Sequence, residues 1–331
     1  MKSNLDWLLE STDLGVEYLT RRDLLNTPAS EIDLLCKKAH REGSIARVLD
    51  HMESAGYWVN PGSGYNPKYT STVWSIILLA QLGASIDMDQ RLAKASEYII
   101  DHALVAGGKF TWKETSSCTI DCLQGNLCAA LLDMACGDSR LDEAFAWMAR
   151  SQTGRDLAPL GDTSTRDRYY ATGKCGPNFA CSATNRQPCA WGAVKVLLAF
   201  SKYPKSKRSA EMQEAIRLGV EFLFGPDPVT AAYPTGTGAP PSGVWWKFGF
   251  PLFYGTDLLQ LAEALTGLGY GGDPRLAKTL QFIQDQQDEM GRWKLRHHYN
   301  GKTWIEAGKP GMPNKWVTLR ALKVLRLAGR L

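Results

Sequence analysis

The chain contains no apolar run of about 18 residues, so a single membrane-spanning helix is excluded on sequence grounds. It carries no surplus of one charge: 38 Lys and Arg stand against 34 Asp and Glu, a net +4, and they are scattered. That balance excludes an acidic tail and argues against a dedicated nucleic-acid binder, which concentrates basic residues on one face. The densest basic stretch, 202–208, falls between two helical patterns and reads as a solvated turn. Cysteine is too scarce for a disulfide scaffold, at 8 in 331 residues. The opening residues, Met1-Lys2-Ser3-Asn4-Leu5-Asp6, lack an apolar segment before a small-residue cleavage site, so a cytoplasmic location is the expectation. No segment alternates polar and apolar residues over strand length, which argues against a sheet. What the chain does have is a 44% hydrophobic content and 11 Trp, ample for a large core in one domain over 1–331.

An internal repeat organises that domain. Asp89-Gln90-Arg91-Leu92, Asp138-Ser139-Arg140-Leu141 and Asp273-Pro274-Arg275-Leu276 each open a segment ending in an aromatic and an aliphatic residue: Tyr98-Ile99, Trp147-Met148 and Phe282-Ile283. Asp is placed to cap a helix, and the apolar residues recur at helical spacing. A weaker copy ends at Phe222-Leu223. Each copy follows a more apolar helical pattern closed by Gly, over 69–83, 121–137, 188–203 and 255–269, and a fifth pattern runs over 315–329. An N-terminal helical region occupies 1–55. Helices apolar nearly all round require burial on most faces, whereas those with a polar stripe face water. The expectation is therefore an all-α fold of five or six hairpins, an inner ring inside an outer ring; an open solenoid is the alternative. The loops 153–188 and 225–251 both precede apolar helices, which places them at one mouth of the ring.

The repeats end in a recurring signature. Phe282-Ile283-x3-Gln287-x3-Gly291-x-Trp293 is repeated in part at Tyr98-Ile99 with Gly108-Lys109-Phe110, at Met52-x3-Gly56-Tyr57-Trp58, and at Trp147-Met148-x3-Gln152. Gly turns the chain and Trp packs back on the hairpin. On these motifs the chain resembles the squalene/terpene cyclase and protein prenyltransferase superfamily over about 45–331. The resemblance implies a closed (α/α) barrel of five or six hairpins. The superfamily's reactive motifs are broken here. Asp87-Met88-Asp89-Gln90 lacks the full Asp-x-Asp-Asp set and places Asp89 as a helix cap, no Asp-Asp-x-x-Asp occurs, and Asp121-Cys122 are adjacent where an Asp-x-Cys zinc pair would be spaced.

Six of the eight cysteines fall in two stretches, Cys118, Cys122 and Cys128, then Cys175, Cys181 and Cys189. Cys36, Cys128 and Cys136 sit at core spacing in helices and read as packing. Cys122, Cys175, Cys181 and Cys189, with Cys118 in reserve, could converge at the mouth as four thiolates around zinc, or around an iron–sulfur cluster. Disulfides or unconnected thiols are the other readings, because no Cys-x-x-Cys spacing occurs.

The first turns of the apolar helices would line the ring. They supply the candidate catalytic residues Asp121, Asp257, Tyr69 and Tyr254 and the candidate substrate contacts Trp74, Trp191 and Trp316, to which the aromatic loop over the mouth adds Trp246 and Phe250. Aromatics with one or two poised acids suit a hydrophobic, isoprenoid or aromatic small molecule and acid–base chemistry of lyase, isomerase or cyclase type. Asp121 and Asp257 equally suit helix capping. The aromatic loop 245–251 reads as a lid or as packing. His297-His298 reads as loop packing, and His40, His51 and His102 as exposed. Two further functions are open: a metal-free cysteine-dependent enzyme resembling linalool dehydratase-isomerase, with Cys122 and Cys189 reactive, and a non-catalytic barrel that binds a ligand or protein.

Overall fold

A computed structural model describes residues 2–155, 164, 188–234 and 241–331. It is mostly helical, 54% helix and 3% strand, which bears out the all-α expectation. Thirteen helices run among the described residues: α1 (Lys2–Leu8), α2 (Leu14–Asp23), α3 (Ala29–Arg41), α4 (Ser44–Leu49), α5 (Thr72–Gln81), α6 (Gln90–Ala103), α7 (Asp121–Asp133), α8 (Arg140–Thr153), α9 (Ala190–Lys202), α10 (Ala210–Phe224), α11 (Leu258–Gly267), α12 (Ala277–Asp285) and α13 (Lys315–Leu327). None is long and apolar enough to cross a membrane.

The five apolar patterns become α5, α7, α9, α11 and α13, each within a few residues of its expected bounds. From Thr72 to Leu79 every residue of α5 is buried, as a helix apolar on all sides requires. These helices pack in succession, α5 on α7, α7 on α9, α9 on α11 and α11 on α13, and α13 then meets α2. α2 returns to the end of α5, where Leu19 lies against Gly83 and the Trp316 ring against Gly15. The amphipathic helices cover this set: α6 on α5, α8 on α7, α10 on α9 and α8, α12 on α11, and α3 on α2.

The Asp-x-Arg-Leu repeat has one geometry in all three copies. Asp89, Asp138 and Asp273 each accept the backbone N–H two residues on at 2.9 Å. Each also takes a two-nitrogen fork from its own Arg. The remaining guanidinium nitrogen reaches a carboxylate of an earlier amphipathic segment: Arg91 to Asp50 at 3.6 Å, Arg140 to Asp101 at 2.6 Å, and Arg275 to Glu221 at 2.8 Å. Such exposed pairs contribute little stability, about 0–1 kcal/mol each, so their effect is to set the register of one hairpin on the next.

The aromatic end of the repeat is also a geometric unit. Trp58 Nε1 donates to Val48 O at 2.8 Å and its backbone N–H to Thr72 Oγ1 at 3.1 Å. Trp293 does the same with Ile283 O at 2.7 Å and Thr318 Oγ1 at 3.0 Å. Tyr233 replaces Trp in another copy and donates to Leu223 O at 2.6 Å. Where Phe110 has no side-chain donor, its backbone N–H goes instead to Gln124 Oε1 at 2.6 Å. In the Trp58, Phe110 and Trp293 copies these buried bonds reach the N-terminal part of the next apolar helix.

Two details differ from expectation. A minimal hairpin pairs β1 (Leu104–Val105) with β2 (Lys109–Phe110), too short for any alternation to register. Its turn needs Gly108, at φ 75°, because a Cβ there would sit 2.2 Å from Glu143 O. His40 is buried at 1% exposure and not exposed as expected: its Nδ1 meets Cys36 O at 2.7 Å and its Nε2 accepts from Ser85 N at 2.9 Å. Those partners bridge α3 to the turn after α5.

Candidate functional site

The residues expected at a single mouth divide between two places. At the N-terminal ends of the apolar helices, Tyr69, Trp74, Trp191 and Tyr254 come together with Tyr65, Phe253 and Tyr299. Tyr69 Oη donates to Tyr254 Oη at 3.4 Å, and the Tyr254 ring lies 6.4 Å from those of both Trp74 and Trp191. Trp74 Nε1 is held by Tyr65 O at 2.7 Å. Burial, and then the neighbouring Tyr254 hydroxyl, raises the Tyr69 phenol, while burial pushes Tyr65 up to about 12. These two phenols therefore keep their protons near neutrality. The ammonium of Lys68 caps the cluster, 4.7 Å above the Tyr254 ring.

Phe250 and Trp316 lie elsewhere, stacked on each other at 4.4 Å. They line a cavity of about 300 Å3 on the faces of α13 and α11 that extends to the C-terminal ends of α5, α7 and α9 and to α2. The first turns of the apolar helices are expected to line one end of a central cavity; apart from Trp316 and Gln260, this cavity lies toward their other ends. Leu19, Leu198, Leu252 and Leu319 supply apolar wall, and Arg22, Lys202, Arg320 and Lys323 face Asp133 and Glu263. Each of these cations is matched: Arg22 and Lys323 both hold Asp23, Lys202 holds Asp133 at 3.0 Å, and Arg320 forks Glu263 at 2.8 and 2.9 Å. Trp246 belongs to neither place, since its Nε1 donates to Val229 O at 2.8 Å within its own loop. Packing of that loop is thus what its neighbours show.

Both candidate acids have structural partners. Asp121 is fully buried and accepts the Ser151 hydroxyl of α8 on both oxygens at 2.9 Å, which turns it toward the covering helices. Asp257 caps α11 through Gln260 N at 2.7 Å, accepts Gly249 N at 3.1 Å, and pairs with Arg320 at 3.2 Å. The capping alternative describes Asp257 well. Cys122, in the first turn of α7, and Cys189, the cap of α9, are both half-buried on neighbouring helices. Cys175 and Cys181 lie outside the described residues, as does most of the loop 153–188. Among the described residues no three His, Cys, Asp or Glu side chains are grouped to hold a metal. Cys128 and Cys36 are buried as expected of packing thiols, and burial pushes both thiols up.

Between the two places sits a residue that the repeat pattern does not flag. Lys195 of α9 is fully buried, at 0% exposure. Among the described residues its ammonium has one hydrogen bond, to Gln260 Oε1 at 2.5 Å, and no ion pair. Thr256 Oγ1 shares that acceptor at 3.3 Å, and Gln260 itself lines the cavity. Burial pulls Lys195 down to about 7, against the opposing pull of Asp257 and Cys122. Gly125 makes the placement possible, since a Cβ there would meet the Lys195 carbonyl carbon at 2.5 Å, so α7 and α9 touch backbone to backbone. The signal was present in the sequence: Lys195 is the lone charge in the apolar run 190–200.

No protein-family model matches the sequence, and no curated protein matches it. The chain has a weak likeness to the crystal structure of a protein from Actinoplanes, with a TM-score of 0.33 and 11% identity over 86% of this chain and 97% of that one. A likeness at that level carries no argument about this chain's fold or function.

Proposed function

We propose that the chain is a closed (α/α) barrel enzyme of lyase or isomerase type, carrying out acid–base chemistry on a small molecule with an apolar, isoprenoid-like or aromatic body. The five apolar helices, α5, α7, α9, α11 and α13, form the inner ring together with α2 in this reading, supported by their successive contacts and by a cavity that all six border. The observation that carries the reading is the fully buried Lys195 joined through Gln260 to a cavity walled by Phe250 and Trp316. A buried amine whose proton affinity lies near neutrality is matched to proton transfer at working pH. Phe250, Trp316 and the leucines hold the ligand body, and the paired charges along the wall receive a polar head. Tyr69 and Tyr254 close the other end of the axis as proton donors. The protein acts in the cytoplasm under this proposal.

Titration with the neutral fluorophore N-phenyl-1-naphthylamine tests the reading. Wild type is expected to bind one probe saturably, with affinity lowered at least about tenfold, or 1.4 kcal/mol, by Leu198→Trp filling the cavity. Trp191→Phe, at the far end of the axis, should leave binding unchanged. Unaltered binding in Leu198→Trp defeats the proposal.

A second reading rests on Cys122 and Cys189 opening neighbouring, contacting helices. Zinc held by Cys122, Cys175, Cys181 and Cys189 would tie the 153–188 loop to α7 and α9 as a structural site, with an iron–sulfur cluster as the other occupant that thiolates allow. No step of the chemistry above passes through it.

A further inference from the structure

We propose that Lys195 is the covalent anchor for a carbonyl substrate: its Nζ adds to the carbonyl carbon of an aldehyde or ketone held in the axial cavity, forming an imine. This names the substrate class for the site and rests on the reading of the cavity as ligand-bearing.

Three observations of geometry carry it. First, Lys195 is completely buried, yet no carboxylate pairs with it among the described residues. Asp257 and Glu263 are the nearest acids by electrostatic influence, and Arg320 already binds both. An ammonium with one neutral acceptor in an apolar interior is costly, so burial favours the amine, whose nitrogen carries a free lone pair. Second, its single partner, the Gln260 carboxamide, is itself part of the cavity wall. Lys195 does not itself line the cavity, so in this proposal the Gln260 side chain turns aside to admit the carbonyl carbon to Nζ. Third, the Lys195 backbone is held against Gly125 of α7, which fixes where its side chain starts. A role limited to joining α9 and α11 would be met by any neutral donor, whereas a lysine brings nucleophilicity.

The step balances without any other reagent. The nitrogen lone pair forms the N–C bond as the carbonyl π pair moves to oxygen, and one amine hydrogen transfers to that oxygen. The resulting carbinolamine loses its hydroxyl with the second amine hydrogen as water, leaving C=N. The groups that face the amine and set its proton affinity are Asp257, Cys122 and Glu263, which favour the charged form, and Arg320, which opposes it.

The test uses the full chain with butanal or benzaldehyde and sodium cyanoborohydride, which reduces an imine to a stable secondary amine that peptide mass mapping locates. At pH 7 Lys195 is expected to be labelled at least about tenfold faster than any exposed lysine, because a much larger fraction of it is unprotonated. Its rate should level off above about pH 7, while exposed lysines continue to gain rate toward 10.5. Lys195→Met and Lys195→Arg should lose that adduct alone, with circular dichroism confirming that both remain helical. Labelling at Lys195 no faster than at exposed lysines overturns the inference. If the naphthylamine probe still binds in the cavity while Lys195 stays unlabelled, the imine falls and the cavity reading stands. If both fail, both fall.

Discussion

Replacing Asp257 distinguishes a structural carboxylate from a catalytic acid. Its two oxygens accept Gln260 N, Gly249 N and the Arg320 guanidinium, and it is completely buried. Asp257→Ala removes a helix cap, about 1 kcal/mol. It also removes one of two carboxylates on a largely buried Arg. Losing a sole partner costs about 3–5 kcal/mol, and Glu263 still forks Arg320, so this part falls to about 1–3 kcal/mol. The expected total is about 2–4 kcal/mol. For a chain of this size that lowers Tm by roughly 4–8 °C, at about 2 °C per kcal/mol. Asp257→Asn keeps the cap and should lose about half as much. Arg320→Met should exceed Asp257→Ala, since it strands Asp257 and Glu263 together. The assay is thermal unfolding followed by circular dichroism. A Tm for Asp257→Ala equal to that of wild type would refute the clamp, and turnover abolished in Asp257→Asn at unchanged Tm would restore Asp257 as the acid.

Lys195→Met should raise Tm at neutral pH, because burial holds the lysine at about 7 against 10.5 for the free side chain. Between those values the unfolded chain binds the extra proton, so wild-type stability rises with pH and the variant's advantage should shrink toward pH 10.5; an advantage independent of pH contradicts this. His40 is lowered by burial from 6.5, so its contribution is complete above about 6.5 and is lost as pH falls through the folded value. His40→Gln should flatten that acid limb in urea titrations run at several pH values. Elemental analysis of the reduced protein should find about one zinc per chain, lost in both Cys122→Ser and Cys189→Ser; retention in both would remove those ligands from the zinc reading.

Much of the fold was legible because helical periodicity and capping act over short range. The five apolar patterns mapped onto α5, α7, α9, α11 and α13, and the Asp-x-Arg-Leu segments onto the covering helices. The link from each Arg to an earlier carboxylate was not legible, because Asp50, Asp101 and Glu221 are fixed only by how hairpins stack. The site was half legible. Aromatic and acidic types at helix starts marked Tyr69, Trp74, Trp191 and Tyr254 as neighbours, yet spacing could not tell that Phe250 and Trp316 would line a separate cavity. His40 was misjudged since an amphipathic helix shows which face is polar, not which polar residue meets a buried N–H on another segment. Lys195 was overlooked because a repeat-based reading weighs what recurs, and this lysine does not.

The crystal structure of the protein with N-phenyl-1-naphthylamine bound tests most directly where the ligand sits. The probe is predicted inside the cavity, against Phe250 and Trp316 and within one side chain of Lys195. A probe lodged among Tyr69, Trp74 and Tyr254, or on the outer surface of the amphipathic helices with the cavity empty, would contradict it.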